Sequence, residues 1–175
     1  MLLFAHVGLT LATARFLSRM SLAALALGSM LPDIIDKPLG LIVFGSPSMG
    51  RIFAHTLIFL ILLSFLCIYF LDIRIISITW GVFCHLCLDF MWNAPKILLW
   101  PLLGPFPQAP ILDTMSYLEM LLSGLKYPGI LIPEIAGLAY LLFLSYSIRW
   151  QILAEIDHHL GKKVDDILKM FFKGV

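Results

Sequence analysis

The chain has 175 residues, a length typical of one domain; 61% of them are hydrophobic and only 13% charged. A soluble domain is about half apolar and about a quarter charged, so these values, with a mean hydropathy of +0.97, exclude a water-soluble globule and indicate an integral membrane protein. The formal net charge of +1 excludes the basic surface of a nucleic-acid-binding protein.

The N-terminal region predicts a short helical hairpin. Residues 2–16 and 20–31 are apolar, and a basic turn at residues 15–19 separates them. Each segment is short for a full crossing of a bilayer. Pro32 follows the second segment and is expected to end it. Asp33 and Asp36 would then lie in a loop.

Three later segments are predicted to span the membrane, because a span needs about 20 apolar residues. They are residues 52–71, 75–92 and 129–148. Apolar segments of this length are expected to be helical, since lipid offers no partner for backbone polar groups. The predicted fold class is therefore an all-α integral membrane bundle.

Other segments are predicted to lie at the membrane surface. Residues 96–110 contain four prolines and indicate a broken interfacial segment, with Trp92 and Trp100 as boundary anchors. Residues 116–125 predict a short interfacial helix. Apolar residues recur at helical spacing among charged ones in residues 151–175, which predicts an amphipathic tail helix following a membrane-embedded domain of residues 1–150.

Ionisable residues inside apolar segments mark the candidate functional site, because each costs about 2.5–3.5 kcal/mol to insert. Those in or beside the predicted helices are His6, Asp33, Asp36, Arg51, His55, His85, Asp89 and Glu134.

The spacing of these residues predicts that they converge. His55 lies 17 residues before the turn at Asp72, and Asp89 lies 17 residues after it, so an antiparallel hairpin brings them to the same depth. His85 and Asp89 are one helical turn apart. The first hairpin places His6 and Asp33 at its corresponding end, away from the basic turn.

Histidines and carboxylates gathered in this way predict a divalent metal site, with zinc favoured and manganese or iron also compatible. The metal ligands that the sequence predicts are His6, Asp33, His55, His85 and Asp89. A structural alternative stays open: the pair formed by His85 and Asp89 would be an internal hydrogen bond, and Arg51 would be an interfacial anchor.

Four short motifs follow one another in the first part of the chain. They are residues 4–8 (FAHVG), 28–36 (GSMLPDIID), 51–56 (RIFAHT) and 81–89 (GVFCHLCLD). In order and spacing they resemble the YdjM-type family of inner-membrane-associated, metal-dependent hydrolases, whose motifs are T-H-x-x-x-G, G-x-x-L-P-D-x-D, H-R-x-x-T-H-S and H-x-x-x-D-x-x-T. The departures from that pattern are Ala5, Asp36, Gly50, Ala54 and Thr56.

This resemblance, which covers about residues 1–105, implies a metal site more directly than a substrate. Together with the residues themselves it predicts a membrane-bound hydrolase that uses a metal-activated water on a lipid or another ester or phosphoester at the interface. Asp36 or Glu134 would orient ligands or accept a proton, and Arg51 would hold an anionic group. The alternatives are a non-catalytic protein that binds or transports a metal ion or proton, and a structural subunit with a docking tail.

The distribution of basic residues predicts the orientation in a cytoplasmic (inner) membrane. Of the 12 Lys and Arg residues, eight fall at the end opposite the polar cluster and four at the cluster end. The positive-inside rule then places the tail in the cytoplasm and the cluster on the other face.

Overall fold

The structure is a computed structural model that describes residues 3–17, 19–45, 49–108 and 112–172, with side chains described as far as residue 150. It is 77% helix, and the described ranges contain no strand, so the all-α class is confirmed. The α-helices are α1 (Thr10–Thr13), which follows a π-helical segment (Ala5–Leu9), α2 (Leu22–Phe44), α3 (Leu57–Phe70), α4 (Ile73–Leu88), α5 (Pro95–Leu98), α6 (Thr114–Gly124) and α7 (Pro128–Phe172).

Helix α2 corrects the prediction that Pro32 ends the second helix. It continues for 23 residues through both Pro32 and Pro38. A proline removes one helical hydrogen bond, but tertiary contacts hold the second half of α2, because the Asp36 carboxylate accepts hydrogen bonds from the backbone of residues 52–55. Asp33 and Asp36 therefore lie on a helix one turn apart, and not in a loop.

The hairpin of α3 and α4 is shorter than the sequence predicts. The predicted span begins at residue 52, but α3 begins at Leu57, where Thr56 caps it by accepting a hydrogen bond from the Phe59 amide at 3.2 Å. The preceding Phe53–His55 forms a 3-10 turn. At 1.5 Å per residue, the 14 residues of α3 and 16 of α4 extend about 21 and 24 Å, against a hydrocarbon core of about 30 Å.

Helix α7 contains the one described helical segment that is long and apolar enough to cross a membrane. This segment is Pro128–Trp150, with a mean hydropathy of 1.6 and 11% of its residues buried. It includes the predicted span at residues 129–148. The helix continues past residue 150 to Phe172, so the predicted tail is helical to that point. The predicted amphipathic character of this tail concerns side chains that lie outside the described set.

The segment after α4 is irregular, as its prolines predict. The short α5 is followed by turns, and Trp100 stacks on Phe106 with ring centroids 4.7 Å apart. Helix α6 then begins after Asp113, whose carboxylate accepts hydrogen bonds from two backbone amides of the first turn. The predicted helix at residues 116–125 is therefore present, beginning slightly earlier.

Glycines allow the helices to pack backbone against backbone. A Cβ atom on Gly28 of α2 would lie 2.2 Å from the carbonyl oxygen of Ile78 in α4. A Cβ atom on Gly8 would lie 2.1 Å from the carbonyl oxygen of Gly137 in α7. Such close approach through small residues is typical of helices in membranes. It brings α2 against α4 and the π-helical segment against α7.

A larger side chain at one of these contacts is expected to destabilise the bundle. A Cβ atom on Gly81 would lie 2.6 Å from the carbonyl oxygen of Leu25, so Gly81→Leu should lower the free energy of unfolding by about 1–3 kcal/mol or more. Gly129→Leu is the control, because no atom lies within 4 Å of its Cβ position. Thermal unfolding in detergent measures both variants, and equal midpoints would contradict the close packing of α2 on α4.

Candidate metal centre

Four parts of the chain bring ionisable side chains together at one end of the bundle. The π-helical segment supplies His6, α2 supplies Asp33 and Asp36, and the 3-10 turn before α3 supplies His55. His85 lies in the last turn of α4, and Asp89 caps that helix. Three histidines and Asp36 are buried, so the cluster is shielded from solvent.

Asp36 holds His55 in one orientation. Its carboxylate is fully buried and accepts hydrogen bonds from the backbone amides of Ile52, Ala54 and His55 at 2.8, 2.9 and 3.1 Å. It also lies 2.7 Å from the Nδ1 atom of His55. An ionised carboxylate only accepts hydrogen bonds, so Nδ1 carries the proton. The Nε2 atom, which lacks a proton in the neutral form of this tautomer, faces the cluster.

A backbone carbonyl orients His85 in the same way. The Nδ1 atom of His85 lies 2.7 Å from the carbonyl oxygen of Ser29, which again only accepts, so Nδ1 donates. The Nε2 atoms of His85 and His55 are 3.2 Å apart. With both rings neutral, the Nε2 lone pairs face each other, an arrangement that is repulsive unless a cation lies between them.

Carboxylate oxygens surround the same point. Asp33 Oδ1 lies 3.7 Å and Asp89 Oδ2 lies 3.9 Å from His55 Nε2. His6 Nε2 lies 3.2 Å from Asp89 Oδ1. The donor atoms form two overlapping groups that share His85, and within each group they lie within 4.8 Å of one another; the groups are His6, His85 and Asp89, and Asp33, His55 and His85.

This donor set fits a divalent metal ion. Two ligands at 2.0–2.1 Å from a tetrahedral zinc ion are about 3.3 Å apart, close to the 3.2 Å between the two Nε2 atoms. Asp36 behind His55 reproduces the carboxylate–histidine–metal arrangement that fixes ligand orientation in metal sites.

Two cations border the carboxylates of the cluster. Arg51 Nη2 lies 2.7 Å from Asp89 Oδ2, and Lys37 Nζ lies 2.7 Å from Asp33 Oδ2. The side chains of Arg51 and Lys37 remain 45% and 42% exposed, so both extend from the buried cluster towards its open side. Arg51 thus lies where an anionic group would reach the cluster.

Glu134 lies at the edge of the site and not among the histidines. Its Oε2 atom accepts hydrogen bonds from the backbone amides of Phe4 and Ala5 at 3.0 and 3.1 Å. These amides are at the beginning of the π-helical segment, where carboxylates are favourable. Glu134 therefore joins α7 to the segment that carries His6. Of the two orienting residues that the sequence predicts, Asp36 is the one that contacts a cluster histidine through a described bond.

Some residues that form the site were not predicted from the sequence. Ser29 acts through its backbone carbonyl, which has no side-chain signal. Lys37 was detectable as an i, i+4 partner of Asp33. Tyr117 and Leu121 of α6 line a cavity beside the cluster. The two predicted boundary tryptophans contact other aromatic rings: Trp92 contacts Phe90, and Trp100 stacks on Phe106.

A buried His/Asp cluster at one end of an apolar helical bundle defines a membrane protein with a candidate metal centre. Residues 1–156 match the family described as YdjM inner membrane protein, and the chain belongs to that family. The resemblance seen in the four motifs is thus confirmed. Comparison with curated proteins and with solved structures gives no match.

Removing the carboxylate behind His55 is expected to weaken metal binding. Asp36→Asn replaces an oxygen that only accepts by a group that can donate, so the Nδ1 tautomer of His55 is no longer enforced. Loss of such a partner lowers metal affinity by about 10–100-fold. Competition with a chelator measures zinc affinity, and helical circular dichroism reports whether the fold persists.

Asp72→Asn is the matched control for that experiment. Asp72 also accepts a backbone hydrogen bond at a helix N-terminus, from the Arg74 amide, but at the end of α4 away from His85. Its zinc affinity should equal that of the wild type. Unchanged affinity in a folded Asp36→Asn protein would contradict the orienting role.

Proposed function

We propose that the protein is a membrane-bound, metal-dependent hydrolase that acts on an ester or phosphoester at the membrane interface. The observation that carries this proposal is the 3.2 Å separation of the Nε2 atoms of His55 and His85. The Nδ1 atoms of both rings donate hydrogen bonds to other groups, so the Nε2 atoms are the ones that face a metal ion. The surrounding carboxylates make the set one of borderline nitrogen and oxygen ligands, which suits zinc, manganese or iron.

The roles of the residues follow from their positions. His55 and His85 would hold the metal, with His6, Asp33 and Asp89 as further ligands. A bound divalent ion of this kind lowers the pKa of water towards neutrality and so supplies a nucleophile for hydrolysis. Asp36 keeps His55 in the ligating tautomer, and Arg51 binds the anionic part of the substrate. Hydrolysis adds water across the ester bond and releases an alcohol and an acid.

The exposed apolar surface of α3 supports the proposal that the substrate lies at the membrane interface. Large apolar side chains are exposed along α3, including Phe65, Ile68 and Tyr69, and contiguous apolar surface of this kind needs a membrane or a partner. We propose that α3 and α4 insert together with α7, giving the three spans predicted from sequence. Local thinning of the bilayer accommodates the two shorter helices, and the cluster then lies near a membrane face.

Loss of one histidine is expected to abolish metal binding and hydrolysis together. His85→Ala removes the ligand that both donor groups share, so stoichiometric zinc should fall to background while the helical content stays unchanged. Elemental analysis of protein purified in the presence of zinc measures the metal, and turnover of a panel of phospholipids and prenyl phosphates measures the activity.

The control is His158→Ala in the tail, which should retain full metal content and activity. If the cluster is only structural, wild-type protein holds no stoichiometric metal and His85→Ala instead lowers the thermal midpoint. Metal binding without turnover of any ester would favour the alternative function, a non-catalytic metal-binding or transporting protein.

We further propose that the cluster faces away from the cytoplasm. Because α7 contacts the π-helical segment through Glu134 at the cluster end and continues past residue 150, the basic tail leaves the bundle at the opposite end. In a background without native cysteines, Ser46→Cys should be labelled only from the non-cytoplasmic side and Lys169→Cys only from the cytoplasm. Labelling of position 46 from the cytoplasm alone would reverse the orientation.

A further inference from the structure

Two cavities open onto the candidate metal centre from its exposed side. One of 320 Å³ reaches His6 and Asp33, and the other, of 230 Å³, reaches Asp33 and Asp89. They adjoin, because Asp33, Lys37 and Leu121 line both. Each therefore contacts the cluster, and Asp33 lies where they meet.

The two cavities differ in chemistry. The larger, which we call the apolar cavity, has Leu3, Met30 and Ile34 in its lining. The smaller, which we call the polar cavity, is lined by Arg51, Lys37 and Tyr117 beside the Asp89 carboxylate. A molecule that fills both must have an apolar part and a polar part joined close to the cluster.

The charges around the polar cavity favour an anion in the presence of a divalent ion. Among the side chains that line this cavity, Asp33 and Asp89 contribute two negative charges, and Lys37 and Arg51 contribute two positive charges. These four charges sum to zero. A divalent ion bound beside the cavity would therefore make the site positive, and an anionic head group would reduce that charge.

We propose that the site binds a phosphodiester lipid, with its phosphate in the polar cavity and an acyl chain in the apolar cavity. A guanidinium and an ammonium lining one cavity match the several acceptor oxygens of a phosphate. The adjoining apolar cavity favours a lipid over a free phosphoester. This inference rests on the proposed function for the chemistry, but the binding does not depend on turnover.

Competition binding tests the head and the chain separately. Zinc-loaded protein in detergent at 4 °C is titrated with fluorescently labelled phosphatidylglycerol, and chromatography verifies that the probe stays intact. Unlabelled phosphatidylglycerol should displace the probe at a concentration about tenfold lower than diacylglycerol of the same chains. Glycerophosphoglycerol, which is the same phosphodiester without the acyl chains, should not displace it at a comparable concentration.

Two variants test which part of the lipid each cavity binds. Ile34→Trp fills the apolar cavity and should weaken binding of the labelled lipid about tenfold, whereas Ile42→Trp should not, because that side chain is 80% exposed on the same helix outside the cavity. Lys37→Gln should remove most of the preference for phosphatidylglycerol over diacylglycerol. Arg74→Gln, at the other end of α4, should leave that preference unchanged. Zinc content is measured for every variant.

The outcomes separate this inference from the proposed function. Equal displacement by phosphatidylglycerol and diacylglycerol would overturn the phosphate site, and wild-type affinity in Ile34→Trp would overturn the acyl-chain site. If glycerophosphoglycerol displaced the probe as effectively as the lipid does, the ligand would be a soluble phosphodiester and not a lipid. Specific binding without hydrolysis would support the inference while contradicting the enzymatic function. Hydrolysis by a protein whose lipid binding these variants leave unaffected would support the enzymatic function while contradicting the inference.

Discussion

The fully buried carboxylate of Asp36 is the interaction on which the site depends. It accepts hydrogen bonds from three backbone amides of residues 52–55 and from the ring of His55. In an apolar bundle these polar groups have no water to replace it, and each would be costly if left without a partner. One side chain therefore satisfies the backbone where α3 has not yet begun, fixes a turn against α2, and sets the tautomer of a candidate ligand.

Sequence patterns predict some parts of the structure, whereas the turn held by Asp36 depends on a contact that they do not show. Periodicity and motif spacing predicted the all-helical class and brought His6, Asp33, His55, His85 and Asp89 to one end of the bundle, where the structure also has them. Their role as ligands remains a prediction. Hydropathy did not predict that residues 52–56 leave the helix, because Ile52, Phe53 and Ala54 continue the apolar run of the helix that follows. The chain turns at these residues because Asp36 on α2 accepts hydrogen bonds from their backbone amides.

The continuation of α2 through Pro32 has a similar origin. Local rules correctly identify proline as unfavourable inside a helix, but they do not include the neighbours that hold the helix together on both sides of it. Gly28 lies before the proline against the backbone of α4, and Asp36 follows it within the cluster. Sequence alone shows neither contact, since both join residues far apart in the chain.

Close packing and the candidate chemistry are therefore parts of one arrangement. The glycine contact that lets α2 approach α4 lies next to Ser29, and the carbonyl oxygen of Ser29 holds the Nδ1 atom of His85. With a longer distance between these helices, that hydrogen bond would be lost and the Nε2 atom of His85 would no longer be directed at His55. The separation of two candidate ligands thus follows from the absence of side chains at Gly28 and Gly81, positions that carry no chemistry of their own.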